Sequence, residues 1–259
     1  MIPIKDNIPT DRFPFVTVGL IVANFVVYLL AIQHGGSFIS GPDLHEVVKY
    51  GAIPDVLTHP GLHCTLISRT ELGCAHRSLP NTIPTWETVF TGMFMHASII
   101  HIGGNMLFLW IFGNNVEDSM GRVKFLIFYL LGGLIAFAVQ TLASLPGGND
   151  QLAVPTLGAS GAISAVLGGY VLLYPRARVV TVIFIIFFFT ILELPALLVL
   201  GFWFLEQAYS VAISYPNGGG GGVAYGAHVG GFLFGLLTIR LWSSRRRVAQ
   251  QQSGAHWRR

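Results

Sequence analysis

Charged residues are scarce in this chain. Only 10% of its 259 residues are Asp, Glu, Lys or Arg and 53% are hydrophobic, whereas soluble domains carry roughly a quarter charged residues. This shortage excludes an ordinary water-soluble domain. The sequence pI of about 9.0 does not indicate nucleic-acid binding, because the basic residues lie at the chain ends and in short connections rather than on one amphipathic face.

Long apolar runs take the place of the missing charge. Several approach the roughly 20 residues that a helix needs to cross about 30 Å of hydrocarbon. The pattern predicts an all-α membrane protein with six spans, at about residues 13–32, 95–113, 123–145, 158–174, 179–213 and 224–242. The fifth run contains Glu193 and Pro195 and is too long for one perpendicular crossing, so it could form two short spans or one kinked, tilted or partly interfacial helix.

Lys and Arg are distributed unevenly between the two sides of this bundle. If the N-terminus is cytoplasmic and the fifth run crosses once, all but three of the 15 fall on the inner side, and only Lys49, Arg69 and Arg77 lie outside. The positive-inside rule favours this arrangement. We therefore expect residues 1–12 to be a cytoplasmic N-terminus, 13–242 a membrane domain with an outer lobe at about 34–94, and 243–259 a solvated basic tail. The first run exceeds a signal-peptide core in length, so we treat it as a retained anchor.

The chain has only two cysteines, Cys64 and Cys74, both in the predicted outer lobe. An oxidising compartment would permit a disulfide between them. Nearby His59, His63 and His76 raise a metal site as an alternative, but their spacing fits no standard zinc pattern. We favour the disulfide and expect no metal.

Three polar clusters interrupt the second, fourth and sixth spans, at residues 96–105, 158–161 and 227–231. Ionisable and strongly polar groups inside a membrane are costly and usually face a cavity or one another. Each cluster alone could instead serve helix packing or hydrogen bonding between helices. The topology couples them, because all three spans start on the outer side and the polar residues fall within roughly their first three turns.

Ser160 and His228 are the candidate catalytic pair. A serine hydroxyl is a poor nucleophile unless a base takes its proton, and an imidazole suits that task. The Ser160 amide, His101 and Asn105 are candidate donors for the oxyanion that forms on attack at a carbonyl. No Asp or Glu was identified at a comparable depth on the outer side, so we predict a Ser-His dyad rather than a triad.

Glycines surround both members of this pair. Gly158 and Gly161 flank Ser160, and Gly231 and Gly235 follow His228, so spans four and six can approach backbone to backbone. The connection Pro216–Gly222 ends in five consecutive glycines, which predicts a mobile segment above the site.

The motifs His96-x4-His101-x3-Asn105, Gly158-x-Ser160-Gly161 and Ala227-His228-x2-Gly231-x3-Gly235 occur in that order on the predicted spans. Together they resemble the rhomboid intramembrane proteases. The resemblance implies a rhomboid-like six-helix bundle, with Ser160 as nucleophile, His228 as base, His101 and Asn105 lining the oxyanion site, and His96 helping to shape it.

The same resemblance implies a serine endopeptidase that cleaves single-pass transmembrane proteins in or near the membrane. Its partners would be transmembrane substrates and membrane lipid, with no nucleic acid and no cofactor. We expect a bacterial inner membrane, with the site opening to the outer side. Two positions depart from the family pattern: Trp86-Glu87 stands where many relatives have Trp-Arg, and Ser164 stands where many have an aromatic ring that stacks on the histidine. His228 would then be held by another ring or less firmly.

Two other function classes compete with this interpretation. Glu193 and Glu206 could be proton-relay groups of a transporter, although the two halves of the chain show no matching broken segments. A catalytically dead relative could bind and escort membrane proteins, but the presence of both Ser160 and His228 argues against it.

Overall fold

The structure is a computed structural model that describes residues 1–68, 72–76, 83–185, 188–214 and 222–256. Arg69, Arg77, Arg258 and Arg259 of the charge argument lie outside the described residues, as does the predicted mobile connection at 216–222 apart from Gly222. The helices are α1 (Phe15–Ala31), α2 (Leu44–Tyr50), α3 (Pro54–Thr58), α4 (Thr85–Gly92), α5 (Ile99–Phe108), α6 (Asn114–Met120), α7 (Arg122–Ser144), α8 (Gly148–Leu152), α9 (Ser160–Leu173), α10 (Ala196–Ser214), α11 (Tyr225–Trp242) and α12 (Arg245–His256).

Five strands accompany the helices in two small antiparallel sheets. The strands are β1 (Ile2–Asp6), β2 (His63–Leu66), β3 (Leu72–Ala75), β4 (Arg178–Ile185) and β5 (Phe188–Pro195). One sheet has the order β1-β4-β5, and the other is the hairpin of β2 and β3.

Among the described residues, three helices are long and apolar enough to cross a bilayer by themselves. They cover Phe15–His34, Arg122–Gly147 and Ala196–Ser214, while the apolar helix Ser160–Leu173 is shorter. A hydrocarbon core of about 30 Å requires roughly 20 apolar residues in a helix. The chain is therefore an integral, mostly helical membrane protein, and the count of six crossings stays a prediction.

The predicted fifth span at 179–213 is wrong in its first half. Residues 178–195 form the β4–β5 hairpin, and the helix begins only at Ala196. β-branched and aromatic side chains dominate the hairpin and favour strands. Pro195 ends β5, where it faces Arg178 across the ladder, because proline cannot continue the hydrogen-bond pattern. The excess length of the run is thus a hairpin, which leaves one helix of 19 residues.

A buried carboxylate fixes the start of α1. Glu117, on α6, accepts hydrogen bonds from the Thr17 backbone N–H at 2.8 Å, the Thr17 hydroxyl at 2.8 Å and the Val16 N–H at 3.1 Å. These contacts satisfy N–H groups that a helix start leaves without intrahelical partners and place negative charge at the positive end of the helix dipole. The starts of α1, α7 and α10 lie at this end of the bundle, which we call the N-terminal end.

The N-terminal strand and the C-terminal helix both pack at this end. Asp6 accepts hydrogen bonds from the Tyr170 hydroxyl and from Asn115 Nδ2, the latter at 2.6 Å, and burial raises the pKa of Asp6 to about 7. Gln251 on α12 is 1% exposed and hydrogen-bonds to Tyr174 and Asn115. The predicted solvated tail thus has one buried face, through which α12 is anchored to the bundle, while its other side is exposed.

Helices α9 and α11 touch through their backbones. A Cβ atom at Gly235 would lie 1.8 Å from the Ala165 carbonyl oxygen, and one at Gly231 would lie 2.1 Å from that of Gly161. Only glycine permits this approach, as the spacing predicted. Helix α7 packs against both α9 and α11, and these three helices carry the core around the candidate site.

The lobe between α1 and α5 is tied to the bundle and closed on itself. Cys64 and Cys74 are joined by a disulfide across the β2–β3 hairpin. Ala52 pairs with Thr156 in an isolated bridge, and the Gly158 N–H donates to the Gly92 carbonyl at 2.8 Å. The second contact holds the residue that precedes the Ser160 turn.

Candidate active site

Ser160 and His228 meet at the end of the bundle opposite the N-terminal end. Ser160 is the first residue of α9 and His228 the fourth of α11. The Ser160 Oγ and His228 Nε2 atoms are 2.9 Å apart, the distance at which an imidazole can accept the hydroxyl proton. The backbone contact between α9 and α11 fixes this separation.

Gln207 on α10 holds the other side of the imidazole. Its Oε1 lies 2.7 Å from His228 Nδ1, and the side chain is buried. An amide oxygen can only accept, so His228 Nδ1 carries the proton and Nε2 presents its lone pair to Ser160. A neutral amide here does the orienting work that a carboxylate does in a triad.

Two further side chains on α10 complete this support. The Trp203 ring lies 5.6 Å from the His228 ring, centroid to centroid, at an interplanar angle of 36°. Trp203 thus takes the place of the ring that Ser164 lacks, while the Ser164 hydroxyl donates to the Ser160 carbonyl at 2.6 Å. Gln207 Nε2 donates to the Glu206 carboxylate at 3.2 Å, which sets the amide with its oxygen toward His228.

Asn105 and His101 point toward the turn that carries Ser160. A Cβ built on Gly158 would lie 2.9 Å from His101 Nε2 and 3.7 Å from Asn105 Nδ2. Gly158 has φ +114°, a conformation that side chains rarely adopt, so glycine is required there for two reasons. Within the described part of the chain, Asn105 Nδ2 is buried without a hydrogen-bond partner. An unpaired buried donor beside a serine is an arrangement that suits a developing oxyanion.

His96 lies behind this donor set and is fully buried. Its Nδ1 is 3.2 Å from the Phe94 carbonyl and therefore donates, while its Nε2 accepts from the Ala159 N–H at 3.4 Å. Its ring contacts that of His101 edge to face, with centroids 5.0 Å apart. His96 thus supports the backbone immediately before Ser160 rather than facing the nucleophile.

The Ser98 hydroxyl caps the start of α5. It accepts a hydrogen bond from the His101 N–H at 3.1 Å, as serine commonly does at a helix N-terminus. The cap starts α5 at Ile99 and sets His101 in its first turn and Asn105 one turn further along the same face.

A cavity of about 510 Å³ opens beside the dyad between α5, α9 and α10. Ser160, His228, His101 and Asn105 all line it, together with Trp203. This volume would hold several side chains of an unwound peptide, and the mixed lining joins apolar walls to hydrogen-bond donors. The cavity can therefore present a carbonyl to Ser160 with donors on its far side.

The structure brings together all the residues that the sequence singled out for catalysis and oxyanion binding, but three contributors were missed. Gln207 and Trp203 lie four residues apart and so share one face of α10. A tryptophan and a glutamine four residues apart in an otherwise apolar run were the sequence signal that could have identified them. Gln140 on α7 accepts from the Ala227 N–H at 3.2 Å and steadies the start of α11.

Comparison with known proteins assigns the chain to one family. The family model for the Rhomboid domain matches residues 84–245, which include every residue of the site. The presenilin-associated rhomboid-like protein, mitochondrial, of Rattus norvegicus is 28% identical over 199 residues, 72% of this chain and 46% of that protein. Rhomboid protein 1, mitochondrial, of Saccharomyces cerevisiae is 28% identical over 181 residues, 66% of this chain and 46% of that protein. The chain thus spans less than half the length of these relatives, and the domain match shows that it belongs to the rhomboid family.

Proposed function

We propose that the protein is an intramembrane serine endopeptidase that cleaves single-pass transmembrane proteins within or near the bilayer. The observation that carries the proposal is the 2.9 Å contact between Ser160 Oγ and His228 Nε2 in a cavity lined by polar donors. Rhomboid membership supports the same reaction class. The contact alone would suit any acyl transfer, and the apolar bundle around it favours a substrate that arrives from the membrane.

In the proposed reaction His228 takes the hydroxyl proton while Ser160 Oγ attacks the scissile carbonyl. The tetrahedral oxyanion is stabilised by the Ser160 N–H, His101 Nε2 and Asn105 Nδ2. His228 then donates its proton to the leaving amine, and water repeats the sequence on the acyl enzyme. Gln207 holds the imidazole in the required tautomer throughout.

Substrate entry is proposed between α5 and α10, which both contribute residues to the cavity lining. Residues on their outer faces, such as Ile100 and Phe202, are exposed and apolar, which suits contact with a transmembrane segment. The segment would unwind locally, since extended backbone at membrane depth is tolerated only where protein or water satisfies it.

We further propose a bacterial inner membrane, with both termini cytoplasmic and the site opening outward. The charge asymmetry supports this orientation, and the Cys64–Cys74 disulfide supports an oxidising compartment around the lobe. The two relatives are named as mitochondrial proteins. Membrane extraction of the protein from a bacterial host, and chemical labelling of residues from each side of the membrane, test the orientation.

The test is cleavage of a model single-pass substrate in proteoliposomes by wild type, Ser160→Ala and Ser164→Ala. Ser164 is the matched control, because it lies one helical turn from Ser160 and its hydroxyl donates to a backbone carbonyl. Loss of the nucleophile should reduce kcat by at least about a thousandfold, whereas Ser164→Ala should retain activity. Cleavage that survives Ser160→Ala refutes the proposal.

The same variants separate the two rival functions. A transporter would keep its flux after Ser160→Ala, and an escort protein would capture its client equally well with either residue. The acidic residues of the transporter hypothesis have local partners: Glu193 pairs with Arg178 at 3.4 Å, and Glu206 accepts from Gln207. They lie on different elements and do not form one path.

A further inference from the structure

The β4–β5 hairpin carries large exposed apolar side chains at the N-terminal end. Phe188 is 79% exposed, Phe189 68% and Phe184 61%, and Ile191 and Leu192 are also exposed. Contiguous apolar patches of this kind are rare on surfaces that face water and usually mark a contact with protein or membrane. Nothing in the proposed reaction uses them.

The apolar side chains cover both faces of the distal half. Phe184 faces Phe189 across the ladder, which puts the two rings on one face. Phe188 and Leu192 belong to the opposite face, since neighbouring side chains alternate along a strand. A hairpin that docks flat on another protein needs only one apolar face. A hairpin in the apolar part of a lipid layer is surrounded on both faces.

The base of the hairpin has the opposite character. Arg178 and Glu193 form an exposed ion pair at 3.4 Å, and Lys5 of β1 and Glu193 both pair with Val180. On the other face Val179 and Thr181 are fully buried against the protein. The change from charged base to aromatic tip resembles that from lipid headgroup to acyl chain, and the cations suit lipid phosphates.

The hairpin is continuous with an exposed apolar surface of α10. β5 leads without a break into α10, a helix of membrane-spanning length, and Leu197 and Leu198 in its first turn are exposed and apolar. The hairpin therefore starts where a membrane helix enters the bilayer.

From these observations we infer that the distal half of the β4–β5 hairpin inserts into the headgroup and acyl boundary of the leaflet at the N-terminal end. Its partner is the phospholipid of that leaflet. Four residues of strand reach about 13 Å, which is less than half of a hydrocarbon core of about 30 Å.

The unpaired edges of the hairpin limit its depth. β5 is an edge strand of its sheet, and the pairing of β1 with β4 stops at Val182. Free N–H and C=O groups are costly in hydrocarbon but can be satisfied by water and headgroups at the interface. The inferred location is therefore shallow, with the backbone edge at headgroup level and the phenylalanine rings below it.

The chain is well suited to a test with single cysteines, because its two cysteines are joined in a disulfide. Three variants in nanodiscs are compared: Phe189→Cys near the tip, Gln250→Cys on the exposed side of α12 as the water control, and Leu205→Cys on the exposed apolar side of α10 as the lipid control. Phe188→Cys on the other face serves as a second tip variant. Melting temperatures check that each variant folds.

Labelling by a polar maleimide is the first readout. An apolar environment disfavours the reactive thiolate, so both tip cysteines should react at least about tenfold more slowly than the Gln250→Cys thiol. Rates equal to that of the water control would overturn the inference.

A nitroxide attached to the same cysteines identifies what covers them. Lipid gives high collision rates with oxygen and low rates with a water-soluble nickel complex, as expected for the Leu205 control. Low rates with both reagents at the tip would mean burial by protein, such as a second copy paired along β5, and would also overturn the inference.

Discussion

Replacing Gln207 by Met tests how the imidazole is held. Methionine has a similar volume but offers no amide oxygen, so the 2.7 Å contact with His228 Nδ1 is lost and a buried N–H is left unsatisfied. Such a loss costs about 1–3 kcal/mol, or roughly a 5- to 150-fold decrease in rate at 1.36 kcal/mol per tenfold. We expect the decrease in kcat.

The reason for expecting a kcat effect is that Gln207 does not line the cavity beside Ser160. It acts on the substrate only through the tautomer and orientation of His228, so KM should change little. The assay is steady-state cleavage of a model transmembrane substrate in proteoliposomes. A parallel decrease in the rate at which Ser160 reacts with a fluorophosphonate probe, at an unchanged melting temperature, would separate positioning from general damage.

Glu206→Gln is the matched control on the neighbouring residue. It keeps an acceptor for Gln207 Nε2 but removes the charge, and a hydrogen bond to a neutral group is weaker than one to a charged group by about 1 kcal/mol. Activity should stay within about fivefold of wild type, the range that this energy allows. The reasoning is refuted if Gln207→Met keeps wild-type kcat, or if its loss lies wholly in KM.

Three further predictions concern packing, pH and the lobe. Gly235→Ala should push α9 and α11 apart, because the new Cβ would lie 1.8 Å from a carbonyl oxygen; we expect a loss of about 1–3 kcal/mol or more in stability and a loss of cleavage. Gly201→Ala is the control, since a Cβ at Gly201 meets nothing within 4 Å. Equal melting curves for the two variants would contradict this. Burial raises the pKa of Asp6 from 3.8 to about 7, so the folded protein keeps a proton that the unfolded chain releases. The contribution of Asp6 to stability should therefore be greatest below about pH 4, fall by up to about 4 kcal/mol towards pH 7 and then level off. The difference in melting temperature between wild type and Asp6→Asn should change across that range, and a constant difference would contradict this. Cys64→Ser with Cys74→Ser opens a loop with a sequence separation of 10 and should cost the lobe about 3 kcal/mol, seen as faster proteolytic nicking of the β2–β3 hairpin; identical nicking rates before and after the change would show that the disulfide is dispensable.

The site was more predictable than the support around it. Ser160, His228 and Asn105 could be identified because polar groups inside a membrane are expensive and three of them shared one depth. Gln207 was not identified, because its role depends on which face of α10 points toward His228, and hydropathy does not report this. The sequence reasoning looked for a carboxylate beside the histidine and so did not consider the Gln207 amide, whose oxygen lies 2.7 Å from His228 Nδ1.

The β4–β5 hairpin was not predicted for a different reason. Hydropathy averages over a window and cannot separate a fully apolar strand from a fully apolar helix, so residues 179–195 were merged with α10. Two short spans and one kinked, tilted or partly interfacial helix were the alternatives for this run, and none of them included a hairpin. Pro195 marked the boundary, and the β-branched run before it was the clue that the first half is a strand.

The backbone contact between α9 and α11 holds these two helices at a fixed separation. With Gly235 against the Ala165 carbonyl, the two helices that carry nucleophile and base have no room to slide. Helix α10 makes no such backbone contact with Gly235, yet it holds the histidine through Gln207. Under the proposed function, any outward movement of α10 would lengthen the contact between Gln207 Oε1 and His228 Nδ1, so that access to the cavity and orientation of the base would be coupled.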